Sequence, residues 1–112
     1  MLNQIILVGR LTETPKLTIT ESGKKMINAT IAVGRPYKNT EGEYDTDFID
    51  FTIWNEMAQN TSEYTQKGDI IGIKGRVETT DDKKLTIIAE KVTFLSSHTQ
   101  NDTQKIDNGG EI

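Results

Sequence analysis

Two large aromatic side chains, Phe48 and Trp54, stand out because the segment that carries them alternates apolar and polar residues with the period of a β-strand. Ile49, Phe51 and Ile53 share the opposite parity and are expected to face a core, which leaves Phe48 and Trp54 on the outer face. Outward aromatics are often covered by a helix, a loop or a partner subunit. They can also stack on nucleobases, which contributes about 1–3 kcal/mol per base. The alternation alone leaves both interpretations open.

Basic residues are interleaved with aromatic ones elsewhere in the chain. Lys74 and Arg76 share one face of a later predicted strand, and Tyr37 lies between Arg35 and Lys38. This combination suits a channel that follows a sugar-phosphate backbone, although a solvated surface is the commonest place for each single charge. The pattern favours the channel. The predicted contacts to single-stranded DNA are Arg10, Arg35, Tyr37, Lys38, Phe48, Trp54, Lys74 and Arg76.

The net charge argues against a nucleic-acid binder, because the chain carries 13 basic and 17 acidic residues and a formal charge of -4. Removing Lys105 and the three acids Asp102, Asp107 and Glu111 of the last segment leaves 12 basic against 14 acidic side chains. Any basic groove must therefore come from uneven placement of the cations rather than from a surplus.

Catalytic chemistry has little support in the sequence. The chain has no cysteine, and its single histidine, His98, lies in a polar terminal segment that would not hold it against a substrate. Asp45, Asp47 and Asp50 could suggest a Mg²⁺ site, but strand-edge acids are usually solvated and no second acidic cluster accompanies them. The expectation is a protein that is not an enzyme and that needs no metal and no cofactor.

The hydrophobic pattern predicts five strands and one helix. Pro15 interrupts the first strand, and the polar stretch 35–46 with its Pro, Asn and Gly residues predicts a mobile loop. Asn55 is expected to cap the helix and Gly68 to end it. The predicted strands cover residues 3–12 with a continuation at 16–20, then 26–34, 47–54, 69–79 and 85–95, and the helix covers 56–66.

This order predicts an all-β fold, a five-stranded Greek-key OB-fold barrel with one short helix between strands 3 and 4. The alternatives are an SH3-like barrel, which lacks such a helix, and a small sandwich, which usually needs more strands. A tight polar connection at 80–84 joins the last two strands, and glycines 72 and 75 suit bulges. Residues 1–95 are expected to form one domain, and 96–112 a short polar disordered tail.

The apolar run at 5–8 is too short to span a bilayer, and the N-terminus lacks the pattern of a signal peptide. The expected location is the cytoplasm, in association with the nucleoid, with no membrane partner. The same run is apolar on both strand faces, which one small barrel cannot bury. A homo-oligomer, at least a dimer, is therefore expected.

The chain resembles the bacterial single-stranded-DNA-binding protein family. The resemblance rests on the opening segment 1–11, Thr12, Pro15, Gly23, the stretch 29–33, the segment 47–54, Ala58, Asn60, Tyr64, residues 67–68 and Gly75-Arg76. It implies an OB-fold that usually assembles as a homotetramer and binds single-stranded DNA with little sequence preference in replication, recombination or repair. It also implies that Tyr37, Phe48 and Trp54 stack on bases.

Two features depart from that family. The hairpin at 80–84 is short, which implies the loss of one stacking contact and part of the wrapping surface. The chain ends at Ile112 without the acidic tip that recruits replication and repair proteins. The alternative function is that of an OB-fold protein-interaction module in a primosome-like assembly, with weak DNA binding.

Overall fold

The computed structural model describes residues 1–96, which form six strands and one helix. The predicted tail, apart from Ser96, lies outside these residues, as does His98. The elements are β1 (Ile5–Leu11), β2 (Thr18–Ile19), β3 (Lys25–Lys38), β4 (Tyr44–Trp54), α1 (Asn55–Tyr64), β5 (Ile70–Thr79) and β6 (Leu85–Phe94).

The five long strands close into a barrel, and the two-residue strand β2 pairs antiparallel with the start of β3. The order around the barrel is β1-β5-β6-β4-β3, and β3 returns to β1 through the pairs Arg10–Ala32 and Leu11–Ile31. Strands β4 and β6 run parallel and pair where Thr52 meets Ile88. The helix follows β4, between the third and fourth long strands. The prediction of an OB-fold barrel is confirmed.

The core follows from the two-residue period of the strands. Ile27 and Ile31 of β3, Phe51 and Ile53 of β4, and Ile73 of β5 all point inward and are fully buried. Helix α1 adds Ala58 and Thr61 to the buried set, so its inner side packs on the barrel. Burial of these apolar side chains is the main favourable contribution to the stability of the barrel.

The prediction of a mobile loop at 35–46 is wrong. Strand β3 continues to Lys38 and β4 begins at Tyr44, so the two strands form a long antiparallel ribbon. The turn is held by Asn39, whose Oδ1 accepts hydrogen bonds from the backbone N–H groups of Glu41 and Glu43. Pro36 is tolerated because it lies where the register shifts and no ladder hydrogen bond is required of it. Polar composition indicated a loop, but here it reflects a ribbon exposed to solvent.

The helix bounds agree with the prediction to within two residues, but the roles predicted for Asn55 as cap and Gly68 as stop are wrong. Asn55 has φ of +65° and lies inside the helix as its first residue, and the capping position is taken by Trp54 without a side-chain hydrogen bond. The helix ends at Tyr64, where the Thr65 hydroxyl donates to the Thr61 carbonyl oxygen at 2.6 Å. Gly68, with φ of +94°, belongs to the turn that leads into β5.

Gly75 lies at a bulge, as expected, because the pairing of β5 with β6 shifts between Lys74 and Gly75. A Cβ atom at Gly75 would lie 2.0 Å from the carbonyl oxygen of Ile88, so this position accepts no side chain. The tight connection at 80–84 is confirmed: the Thr80 N–H donates to the Lys84 carbonyl oxygen, and the Lys83 N–H donates to the Thr80 carbonyl oxygen. Within residues 1–96, no helix has the length and apolar character needed to cross a membrane.

Candidate nucleic-acid interface

The outer face of β4 carries Phe48 near the middle of the strand and Trp54 at its end. Phe48 is 69% exposed and lies opposite Ala32 of β3, while the half-buried Trp54 lies opposite Met26. Phe51 and Ile53 point into the barrel between them, so the parity predicted for this strand is confirmed. The small Ala32 neighbour leaves the Phe48 ring uncovered, which is the geometry that stacking on a flat ligand requires.

Two hydrogen-bonded pairs of polar side chains separate these aromatics. The Thr30 hydroxyl donates to Asp50 Oδ1 at 2.6 Å, and the Thr52 hydroxyl donates to Asn28 Oδ1 at 2.8 Å. They line an open groove of about 710 Å³ that is bordered by the 13–18 segment and by the β5–β6 hairpin. The surface between Phe48 and Trp54 is therefore polar.

Closure of the barrel places Arg10 in the same row as Phe48, with Ala32 between them. Arg10 pairs with Ala32, which pairs with Phe48, so the three residues form one row on the outer surface. Its Nη1 donates to the Gly68 carbonyl oxygen at 2.7 Å, which orients the guanidinium. Among residues 1–96 no carboxylate lies within ion-pair distance of Arg10, so its charge is available to a ligand.

Lys74 is separate from that row. It pairs with Ile6, which is four residues along β1 from Arg10 and therefore about 13 Å away. Within the described part of the chain, Lys74 also has no carboxylate within ion-pair distance. It could contact a phosphate only if the ligand continued over the β1–β5 surface.

Arg35 is already paired with carboxylates. Its Nε and Nη2 donate to Asp47 at 3.1 and 2.9 Å, and Nη1 lies 3.8 Å from Asp45. The hydrogen bond from Arg35 lowers the pKa of the Asp47 carboxyl, and the same bond raises the pKa of Arg35. Arg35 can bind a phosphate only by exchanging this partner.

The ribbon formed by β3 and β4 separates two of the predicted contacts. Lys38 lies opposite Tyr44, on the face that also carries Phe48, and its Nζ is 5.8 Å from the centre of the Tyr44 ring. Tyr37, the neighbour of Lys38, points to the other face of the ribbon. Tyr44 is 62% exposed and is absent from the predicted contacts because residues 35–46 were expected to form a loop. Extending the alternation of β4 back to residue 44 would have found it.

Arg76 lies next to Trp54, where both line a cavity of about 430 Å³ with Ile88. It too is paired, since its Nε donates to Glu78 at 2.7 Å and its Nη1 to Glu90 at 3.0 Å. These hydrogen bonds, that to Glu78 first, raise the pKa of Arg76. The outer surface thus combines exposed aromatics with cations of two kinds, unpaired and paired.

The sequence profile described as the Single-strand binding protein family matches residues 2–95, almost the whole described part of the chain. The chain belongs to the single-strand binding protein family. Within residues 1–96 no group of three or more His, Cys, Asp or Glu side chains could hold a metal ion.

Relatives in this family are more than one third identical to the chain over the aligned residues. It is 41% identical over 105 residues to single-stranded DNA-binding protein 3 of Listeria innocua, covering 87% of the chain and 66% of that protein. It is 44% identical over 79 residues to single-stranded DNA-binding protein B of Bacillus subtilis, covering 70% of each. It is 37% identical over 113 residues to single-stranded DNA-binding protein 1 of Staphylococcus aureus, covering 94% and 72%. The chain therefore spans about two thirds of the length of these relatives.

A solved structure supports the fold. The crystal structure of a deletion mutant of the single-stranded DNA binding protein from Thermus aquaticus superposes with a TM-score of 0.69 at 23% identity. The match covers 85% of the chain and 51% of that protein. The barrel is thus shared with a family member of distant sequence.

Proposed function

We propose that this chain binds single-stranded DNA non-covalently, with little dependence on sequence. Bases stack on Phe48 and Trp54, and on Tyr44 of the same face, and Arg10 and Lys38 contact phosphates. Tyr37, on the other face of the ribbon, and Lys74, opposite Ile6, join them only where the strand continues over those surfaces. Arg35 and Arg76 join them where a phosphate displaces a carboxylate. The observation that carries the proposal is the outer face of β4, which displays Phe48 and Trp54 on the surface of a family barrel, with Arg10 in the same row as Phe48.

Stacking supplies most of the binding energy in this proposal. Every base presents a flat aromatic face, so stacking tolerates any sequence and contributes about 1–3 kcal/mol per base. The electrostatic contribution is smaller than in a basic protein, because Arg35 and Arg76 are already neutralised by neighbouring carboxylates. The setting would be DNA replication, recombination or repair in the cytoplasm.

Tryptophan fluorescence tests the proposal directly, because Trp54 is the single tryptophan of the chain. Adding oligo(dT) should quench its emission, and double-stranded DNA should do so much less. Phe48→Ala should weaken oligo(dT) binding roughly 5- to 150-fold, which corresponds to the loss of one stacked base. Tyr64→Ala removes an exposed aromatic of α1 and should leave the affinity unchanged. The absence of both quenching and a mobility shift at low salt would refute the proposal.

The proposal includes assembly into a homo-oligomer, with a tetramer as the expected state. Ile6 and Val8 of β1 are 66% and 53% exposed, and exposed Leu95 lies near Val8 around Gly72. A second copy would cover this apolar patch. Ile6→Glu should lower the mass measured by light scattering, whereas Ile19→Glu, on the exposed β2, should not. A monomeric unmodified protein at micromolar concentration would contradict the assembly.

The pairing of Arg35 and Arg76 with carboxylates favours one second candidate, a protein-interaction module with weak DNA binding. Cations that are already satisfied inside the protein gain less from phosphates. A stable complex with a protein partner, together with negligible affinity for DNA at low salt, would support this candidate over the first.

A further inference from the structure

Asp50 differs from most carboxylates near the proposed interface, and among residues 1–96 it shares its lack of an ion pair with Glu13 of the groove lining. Asp47 pairs with Arg35, Glu78 and Glu90 pair with Arg76, and Glu56 pairs with Lys25. Within residues 1–96, Asp50 has no cation within ion-pair distance, although it is exposed in the middle of the groove. Lys16 and Lys84 line the same groove. A phosphate is attracted to those cations and repelled by Asp50, so the part of a bound nucleotide that faces Asp50 is the base.

The hydrogen bonds around Asp50 leave a defined pattern of free groups. Asp50 Oδ1 accepts from Thr30, and Asn28 Oδ1 accepts from Thr52. Asp50 Oδ2 and the Asn28 amide N–H groups make no hydrogen bond to residues 1–96. The surface between Phe48 and Trp54 therefore offers a carboxylate acceptor, Asp50 Oδ2, on a side chain held in place by Thr30. The Asn28 amide of the neighbouring pair offers a donor.

We propose that Asp50 biases the groove toward bases that carry an exocyclic amino group and against thymine. A carboxylate only accepts hydrogen bonds, and the amino group of cytosine, adenine or guanine can donate to it. The one N–H of thymine lies between two carbonyl oxygens, so a carboxylate that reaches it also meets a repelling oxygen. The inference rests on the proposed DNA binding and adds to it a modest preference for base composition.

The test compares oligo(dC) with oligo(dT) by Trp54 fluorescence at pH 8, where cytosine is neutral. Asp50→Asn keeps the shape of the side chain and an oxygen that accepts from Thr30, but it adds a donor and removes the charge. The variant should bind both oligonucleotides more tightly, with the larger gain for oligo(dT). The affinity for oligo(dC) relative to oligo(dT) should fall about three- to tenfold.

Two further variants distinguish a preference for certain bases from the general effect of removing a negative charge. Glu63→Gln removes one negative charge from α1, outside the groove, and should leave the oligo(dC) to oligo(dT) ratio unchanged. Thr30→Val removes the hydroxyl that holds Asp50 and should shift the ratio in the same direction as Asp50→Asn, by less. An equal gain for both oligonucleotides in Asp50→Asn would overturn the inference. Failure of the unmodified protein to bind either one would instead refute the proposed function.

Discussion

Replacing both Glu78 and Glu90 by glutamine would release the Arg76 guanidinium from its two carboxylate partners. Arg76 donates to Glu78 at 2.7 Å and to Glu90 at 3.0 Å, and it lies beside Trp54 at the proposed interface. Glutamine keeps the length of each side chain but removes its charge, so the phosphate of a bound nucleotide becomes the strongest available partner of Arg76.

The expected effect is a steeper dependence of affinity on salt. Each additional phosphate contact on a single strand steepens the slope of log K against log salt by about 0.7. Between 50 and 200 mM NaCl the double variant should therefore lose about 2.6-fold more affinity for oligo(dT) than the unmodified protein loses. At 50 mM salt it should also bind more tightly. Fluorescence titrations at four or five salt concentrations measure both quantities.

The matched control removes two negative charges elsewhere. Glu21→Gln with Glu63→Gln changes the net charge by the same amount, and neither residue has an ion-pair partner within the described part of the chain. This control should raise affinity slightly with little change of slope. Equal slopes in the two double variants would show that Arg76 gains no phosphate, and the idea that the carboxylates restrain it would be wrong.

Two other predictions concern the barrel wall and the ribbon. Gly75→Ala should destabilise the protein by about 3 kcal/mol in chemical denaturation, because its Cβ would collide with the Ile88 carbonyl oxygen. Gly34→Ala, where a Cβ meets nothing within 4 Å, should change stability by less than about 1 kcal/mol, and a similar loss at both glycines would contradict the bulge geometry. Tyr44→Ala should weaken oligo(dT) binding about fivefold or more, since Tyr44 shares the face of Phe48. Tyr37→Ala should have the smaller effect because Tyr37 faces the other way, and the reverse order would show that DNA follows the opposite face.

The exposed ribbon explains why sequence and structure disagree over residues 35–46. Strand prediction depends on one apolar face, and the ribbon beyond Gly34 has none, since both of its faces are in solvent. Pairing between its own two strands, closed by the Asn39 turn, holds it in place of a core. The capping role of Asn55 was misassigned because asparagine suits both a helix cap and a residue at positive φ. The tight turn between β4 and α1 puts Asn55 at positive φ, and the capping position falls on Trp54.

By itself, the sequence determined the outer and inner sides of β4 and the position of the helix. Alternation is a local property, so Phe51 and Ile53 could be assigned to the core, and Phe48 and Trp54 to the surface, without knowing what pairs with the strand. The order of strands and helix likewise predicted the barrel, because few folds carry a single helix at that point.

The tertiary structure alone decided which charges are free. Arg10 shares a row with Phe48 because the barrel closes through β1 and β3, and Glu90 reaches Arg76 from the neighbouring strand β6, 14 positions along the chain. Such contacts depend on strand register, which a run of residue types does not fix on its own. Only the assembled barrel shows which of the eight predicted contacts are unpaired cations and which are cations paired with carboxylates. It also shows that the aromatic contacts lie on two different faces.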